Sequence, residues 1–234
     1  MKRKEVLKIS TRMKGVKEED VYSTVYRKIN RIFAMKLAEK IANNTKITPN
    51  QLTFMPLFLY IITAILFYVH KQPYLIFGGV VFLLSYFMDQ LNGSLARIKN
   101  MANDFGSWLD GISDTFGLTL VYFGATFGVY NISKDSFIWV FGFLAVTSYL
   151  YGNWVYINFR RLFHFSTDEI EKVKKKRAFI RNFFYNGNFI IPAFAIAAIS
   201  NKIYWLLAFF SVYGWLYCFA LVFGLTKSIS KHYK

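Results

Sequence analysis

Of the 13 acidic residues in this chain, four, Asp89, Asp104, Asp110 and Asp114, fall within 26 residues of largely apolar sequence. A carboxylate in apolar surroundings is costly unless it is paired or bound to a cation, so such residues are candidates for chemistry. Asp110 and Asp114 stand four apart, on one face of a helix, and Asp89 and Asn92 stand three apart on the helix before it. A helical hairpin turning near Asn100 therefore points all four side chains into one gap. Hard oxygen ligands from two helices describe a Mg²⁺ or Mn²⁺ site. Arg97 adds a fixed positive charge two turns beyond Asp89, while Gly93 and Ala96 remove bulk from the same helix, an arrangement suited to a ligand bearing phosphate. Taken singly, these residues also have plainer roles: Asp89 and Arg97 as a buried ion pair, Gly93 and Ala96 as close helix packing. Taken together, three intramembrane carboxylates exceed their basic partners, and a bound cation balances them better than mutual repulsion does.

The elements that must hold these residues are membrane helices. The composition is 55% hydrophobic, 20% aromatic and only 18% charged, too apolar for an ordinary soluble domain. Apolar stretches recur at about 51–70, 74–97, 105–130, 137–160, 183–199 and 203–224, each on the order of the ~20 residues needed to cross the hydrocarbon core. Polar turns at 70–73, 131–135 and 200–202 separate them. The fifth stretch is the weakest, being short and containing Asn186, Gly187, Asn188 and Pro192. Ahead of the first, Thr48 before Pro49 predicts an N-cap with proline in the first helical turn. The expected fold class is an all-α integral membrane protein of six transmembrane helices. An N-terminal cytoplasmic amphipathic helix, with Ile29, Ile32, Phe33, Leu37 and Ile41 set among basic residues, precedes them.

Charge supports that count. The 29 lysines and arginines exceed the acids by 16, and six spans put 26 of them on one side of the membrane and only Lys71, Lys134 and Lys202 on the other. The positive-inside rule then places both termini in the cytoplasm. So basic a chain suggests an anionic membrane surface rather than nucleic acid, since 26 phenylalanines and long apolar runs would first have to be hidden from water. The lone Cys218, in an apolar run, excludes an intrachain disulfide and a thiolate metal cage. No apolar core of signal-peptide length is expected near the N-terminus. A conducting path is not expected, because the outer halves of the spans are almost purely apolar.

The run Asp89-Gln90-Leu91-Asn92-Gly93-Ser94-Leu95-Ala96-Arg97, followed after eight residues by Gly106-Ser107-Trp108-Leu109-Asp110-Gly111-Ile112-Ser113-Asp114, resembles the signature of CDP-alcohol phosphotransferases, DxxDGxxAR and GxxxDxxxD. Seven of the eight signature positions match, and Asn92 stands where the family has its second Asp. Thr48-Pro49-Asn50-Gln51-Leu52-Thr53 is similar to the family's TPNxxT element. The resemblance implies transfer of a substituted phosphate group from a CDP-alcohol to an acceptor alcohol with release of CMP, in phospholipid biosynthesis. It further implies that Asp89, Asn92, Asp110 and Asp114 hold divalent metal, that Asp114 is the general base, and that Asn50, Gly93, Ala96 and Arg97 meet the nucleotide. A homodimer in a prokaryotic cell membrane is implied as well. An amide at position 92 ligates Mg²⁺ without adding charge, which leaves open a single-metal enzyme or a catalytically impaired, nucleotide- or lipid-binding relative.

Arg160, Arg161 and Arg181 lie on the same expected face as the metal site and are candidates for binding an acceptor's phosphate, or for anchoring to anionic headgroups. The expected organisation is a basic segment over 1–48, a transmembrane domain over 49–226 and a basic tail over 227–234.

Overall fold

A computed structural model describes residues 25–163 and 185–232, and all regular structure there is helical. The elements are α1 (Val25–Asn44), α2 (Pro49–Leu52), α3 (Met55–Val69), α4 (Gln72–Ile98), α5 (Asp104–Ser133), α6 (Phe137–Phe163), α7 (Gly187–Ile199) and α8 (Ile203–His232). Among the described residues, five stretches are long and apolar enough to cross a membrane: Pro49–Val69, Gln72–Ile98, Asp104–Ser133, Phe137–Phe159 and Ile203–Lys227. The sixth expected span differs. Helix α7 has 13 residues, about 20 Å at the helical rise, against ~30 Å of hydrocarbon. Its start is set by Asn186, whose side chain accepts the Asn188 N–H at 3.1 Å, and Pro192 lies inside it.

Each turn has a local cause. His70, Asn100, Lys134 and Asn201 all take positive φ, between 51° and 55°, the left-handed conformation that ends a helix and reverses the chain. At the Asn100 turn the Met101 N–H reaches back to the Ala96 carbonyl at 2.9 Å. This is the hairpin expected from the spacing of the acids. Thr48 is the extended N-cap of α2, with Pro49 in the first turn, and the Gln51 side chain accepts the Thr48 N–H at 2.9 Å.

Helix α3 packs against both α4 and α5, whereas α4 and α5, though consecutive in the chain, scarcely touch. The motif helices are splayed with α3 beside both, and their facing side chains are left a gap. Below that gap lies an aromatic core of Tyr60, Phe67, Phe82, Tyr122, Phe194 and Phe210, in which Tyr122 meets Phe194 edge-on at 5.1 Å. The close approach of α5 to α3 depends on glycine. A Cβ at Gly124 would lie 2.2 Å from the Ala64 carbonyl oxygen, and one at Gly128 2.0 Å from that of Phe67. Hydroxyls within the spans bond carbonyls one turn back, as Thr63 does to Leu59 at 2.9 Å and Thr126 to Tyr122 at 2.8 Å, so no water is needed at that depth.

Helix α1 buries Ala34 and Ala38 fully against Leu91 and Leu95 of α4, with Ile41 packed at the edge of the cluster, while Ile32 and Phe33 remain 55% and 61% exposed. Small side chains let the two backbones approach, and the bulky residues are left outward as a second apolar stripe.

Candidate active site

Asp89 and Asn92 lie on the last turns of α4, and Asp110 and Asp114 on the second and third turns of α5. Helix α5 is started by Asn103, whose side chain accepts the Gly106 N–H at 2.7 Å. Asp104 is thereby placed in the first turn, exposed, where its charge suits the helix N-terminus rather than the gap.

The Asp89 and Asp110 carboxyls are within hydrogen-bonding reach of each other, and Asp110 is within reach of the Asn92 side chain. Gln90 donates to Asp89 Oδ2 at 2.9 Å. Asn92 is 7% exposed. Its Nδ2 donates to Thr53 Oγ1 at 3.4 Å, while its Oδ1 is buried without a hydrogen-bond partner. Among the described residues no three His, Cys, Asp or Glu side chains are drawn together as around an ion. The donor set nevertheless fits a hard divalent cation. Two carboxyls in mutual reach need positive charge between them, and a buried amide oxygen with no donor is costly until it ligates something.

Arg97 ends the same helix. Its Nη2 donates to Ser94 Oγ at 3.3 Å and its charge acts on Asp110. Among the described residues, the side chain that a Cβ at Gly93 would meet within 4 Å is the Arg97 guanidinium, at 3.5 Å. Gly93 is half-buried beside that charge and, among those residues, serves no close helix packing. Ala96 is half-buried and Asn50 is exposed on the short α2 turn. Arg160 and Arg161 fall in the last turns of α6, but their side chains, and Arg181 entirely, lie outside the described residues.

A residue not singled out in the sequence completes the site. Tyr60 of α3 donates from Oη to Asp114 Oδ1 at 3.3 Å. Tyr60 and Asp114 also line a cavity of about 240 Å³ whose walls are mostly apolar, with Leu118, Ile157 and Ile191, and carry the polar groups of Tyr86, Thr115, Tyr149 and Asn153. Tyr86 in turn bonds Asn188 of α7. A hollow of similar size, about 260 Å³, lies between α5 and α6 against Phe123, Trp139 and Phe143. Its lining is apolar and far from the carboxylates. No spacing rule links Tyr60 to Asp114, which lie 54 residues apart.

The chain that carries this site has relatives among known proteins. The family model described as CDP-alcohol phosphatidyltransferase matches residues 46–223. The chain belongs to that family. Its members are transferases, and this member is a multi-pass integral membrane protein.

Two curated proteins are similar to parts of this chain. The bifunctional IPC transferase and DIPP synthase of Aquifex aeolicus is 29% identical over 136 residues, 58% of this chain and 29% of that protein. The archaetidylinositol phosphate synthase of Pyrococcus horikoshii is 33% identical over 82 residues, 35% of this chain and 42% of that protein. The matches thus span less than half the length of each relative. Among solved structures, the phosphatidylinositol phosphate synthase of Mycobacterium tuberculosis with CDP-DAG bound superposes with a TM-score of 0.56 at 18% identity, over 82% of this chain and 92% of that one. A second structure of that synthase, in complex with manganese and citrate, has a TM-score of 0.53 at 17% identity, over 82% and 88%. At these identities the structural likeness speaks for the fold.

Proposed function

We propose that this protein transfers a substituted phosphate group from a CDP-linked alcohol to an acceptor alcohol and releases CMP, with Mg²⁺ or Mn²⁺ held by Asp89, Asn92, Asp110 and Asp114. The observation that carries the reading is the position of Asp114, which belongs at once to the carboxylate cluster and to the wall of the cavity lined by Tyr60 and Tyr149. One side of that carboxylate faces the place for a pyrophosphate and the other the place for an acceptor. The divalent metal supplies neutralisation of the pyrophosphate and of the leaving CMP. Arg97 and the Gly93 and Ala96 surface receive the nucleotide, with Asn50 at its edge. Asp114 accepts the proton of the attacking hydroxyl.

The cavity is the acceptor's place in this reading. Phenol, hydroxyl and amide groups around an apolar floor suit a polyol ring, and the similar archaetidylinositol phosphate synthase favours an inositol phosphate as acceptor. Arg160, Arg161 and Arg181 are proposed to meet the acceptor's phosphate. A CDP-linked diacylglycerol or archaeol is the proposed donor. The transmembrane domain is proposed to run over 49–226 between a basic segment, 1–48, and a basic tail, 227–234. Six spans, α7 being the short one, put both termini in the cytoplasm of a prokaryotic cell. Helix α1 lies at the interface with Ile32 and Phe33 toward lipid, and the protein is a homodimer.

The test is CMP release by the purified protein with Mg²⁺ or Mn²⁺, CDP-diacylglycerol or CDP-archaeol, and inositol phosphate or glycerol phosphate. CMP formed only when donor, acceptor and metal are all present is the expected result. A second reading rests on Asn92, a neutral ligand where a fourth carboxylate is expected: a binding protein that takes up metal and CDP-alcohol but forms no CMP under any combination.

A further inference from the structure

The hydrogen bond from Tyr60 to Asp114 is held by more than its own geometry. Tyr60 is 1% exposed, and its ring is wedged edge-on against Phe82, centroids 5.8 Å apart at 75°. On its other side the ring lies on bare α5 backbone, since a Cβ at Gly117 would fall 2.1 Å from Tyr60 Cδ2. Gly117 stands three residues after Asp114, so the turn that carries the carboxylate also carries the slot for the ring. An aspartate's last torsion is soft, with a broad two-fold preference. A phenol has no freedom of this kind once its ring is fixed, so it dictates the plane of the carboxylate it bonds.

We infer that Tyr60, seated in the slot opened by Gly117, is the positioning residue for Asp114. It holds Oδ1 so that Oδ2 is presented to the acceptor hydroxyl. This rests on the transferase reading above. In the step it serves, the acceptor oxygen forms the new bond to phosphorus and its proton passes to Asp114 Oδ2. The bond from phosphorus to the CMP phosphate oxygen breaks, and its electron pair leaves with CMP. Tyr60 keeps its own proton throughout and nothing is oxidised or reduced. The carboxylate plane matters because misplacing a reacting group by even ~1 Å costs up to about a hundredfold in rate.

The test is a double-mutant cycle of Tyr60→Phe and Gly117→Ala in the full-length protein. Steady-state kinetics are read together with Mn²⁺ binding by calorimetry and thermal unfolding. Tyr60→Phe keeps the ring in its slot and removes only the hydroxyl. The expected result is a fall in kcat of about tenfold to a hundredfold. KM for donor and acceptor should stay within about twofold and Mn²⁺ affinity near the parent's, while the unfolding temperature falls only by what one lost buried hydrogen bond costs, since the ring keeps its packing. Gly117→Ala pushes the ring out of line, so it should lower kcat by a similar factor in the parent but by less than about threefold on top of Tyr60→Phe. Parent-like kcat in Tyr60→Phe, a rise in acceptor KM at constant kcat, or fully additive effects in the cycle would overturn the inference. A parent protein that releases no CMP in any combination sinks the transferase reading instead, and the Mn²⁺ titration then shows whether the metal site survives it.

Discussion

Asn92 donates through its amide to the Thr53 hydroxyl, tying the second motif position on α4 to the last residue of the Thr48–Thr53 element. Thr53 Oγ1 is itself spent as a donor on the Pro49 carbonyl at 3.1 Å, so it meets Asn92 as an acceptor. An aspartate has no proton to give it. Aspartate at position 92 would therefore lose this tie while adding a charge within reach of Asp110.

Asn92→Asp should accordingly have two opposed effects. Without metal, a buried charge and a lost hydrogen bond should lower stability by about 1 to 3 kcal/mol. With Mn²⁺ the added carboxylate should tighten binding and restore more stability than metal restores in the parent. Unfolding followed with and without Mn²⁺, beside a Mn²⁺ titration, reads both. Unchanged metal affinity would mean that the site is built around the amide oxygen.

Asp114→Asn should abolish CMP release, because an amide cannot accept the hydroxyl proton, while Mn²⁺ and CDP-alcohol binding largely persist on the remaining ligands. Turnover at the parent rate would reassign the base.

Gly124 and Gly128 admit the α3 backbone to the surface of α5. Alanine at either should cost about 1 to 3 kcal/mol through overpacking, seen as a lower unfolding temperature in detergent. Gly111 is the control, since a Cβ there would meet nothing within 4 Å. Alanine at that position should leave folding intact, as alanine is the better helix former. Equal losses at all three sites would point to helix propensity or lipid contacts instead.

Asp135 sits in the turn between α5 and α6 and accepts hydrogen bonds from the Tyr204 hydroxyl at 2.6 Å and the Phe137 N–H at 3.0 Å. These hold its carboxyl below the usual range, Tyr204 contributing more. A depressed folded-state value means that the contribution to stability is complete above the unfolded value of about 3.9 and is lost as pH falls below it. Tyr204→Phe should therefore destabilise at about pH 6 and match the parent at the acid end. A difference that persists unchanged to about pH 2.5 would locate the effect in packing.

A cysteine placed at Ser133, exposed at the end of α5, should be labelled by a membrane-impermeant thiol reagent from outside the cell. Labelling from the cytoplasmic side only would invert the topology drawn from the 26 basic residues assigned to the opposite face.

The sequence by itself determined what is periodic or local. Asp89, Asn92, Asp110 and Asp114 share helix faces because three- and four-residue spacings do so in any α-helix. The reversal at Asn100 and the caps at Thr48 and Asn103 follow from residue types acting within a few positions. The long apolar runs declare helical spans because a helix satisfies every backbone group within one continuous segment of that length. What faces what was decided only by tertiary structure. Tyr60 reaches Asp114 because Gly117 admits its ring, Asn92 finds Thr53 because α2 packs beside α4, and α1 presents alanines inward because they allow the closest backbone approach. Those first two pairings lie 54 and 39 residues apart. They depend on how each helix rotates about its axis to fill space against its neighbours, which spacing along one chain does not encode.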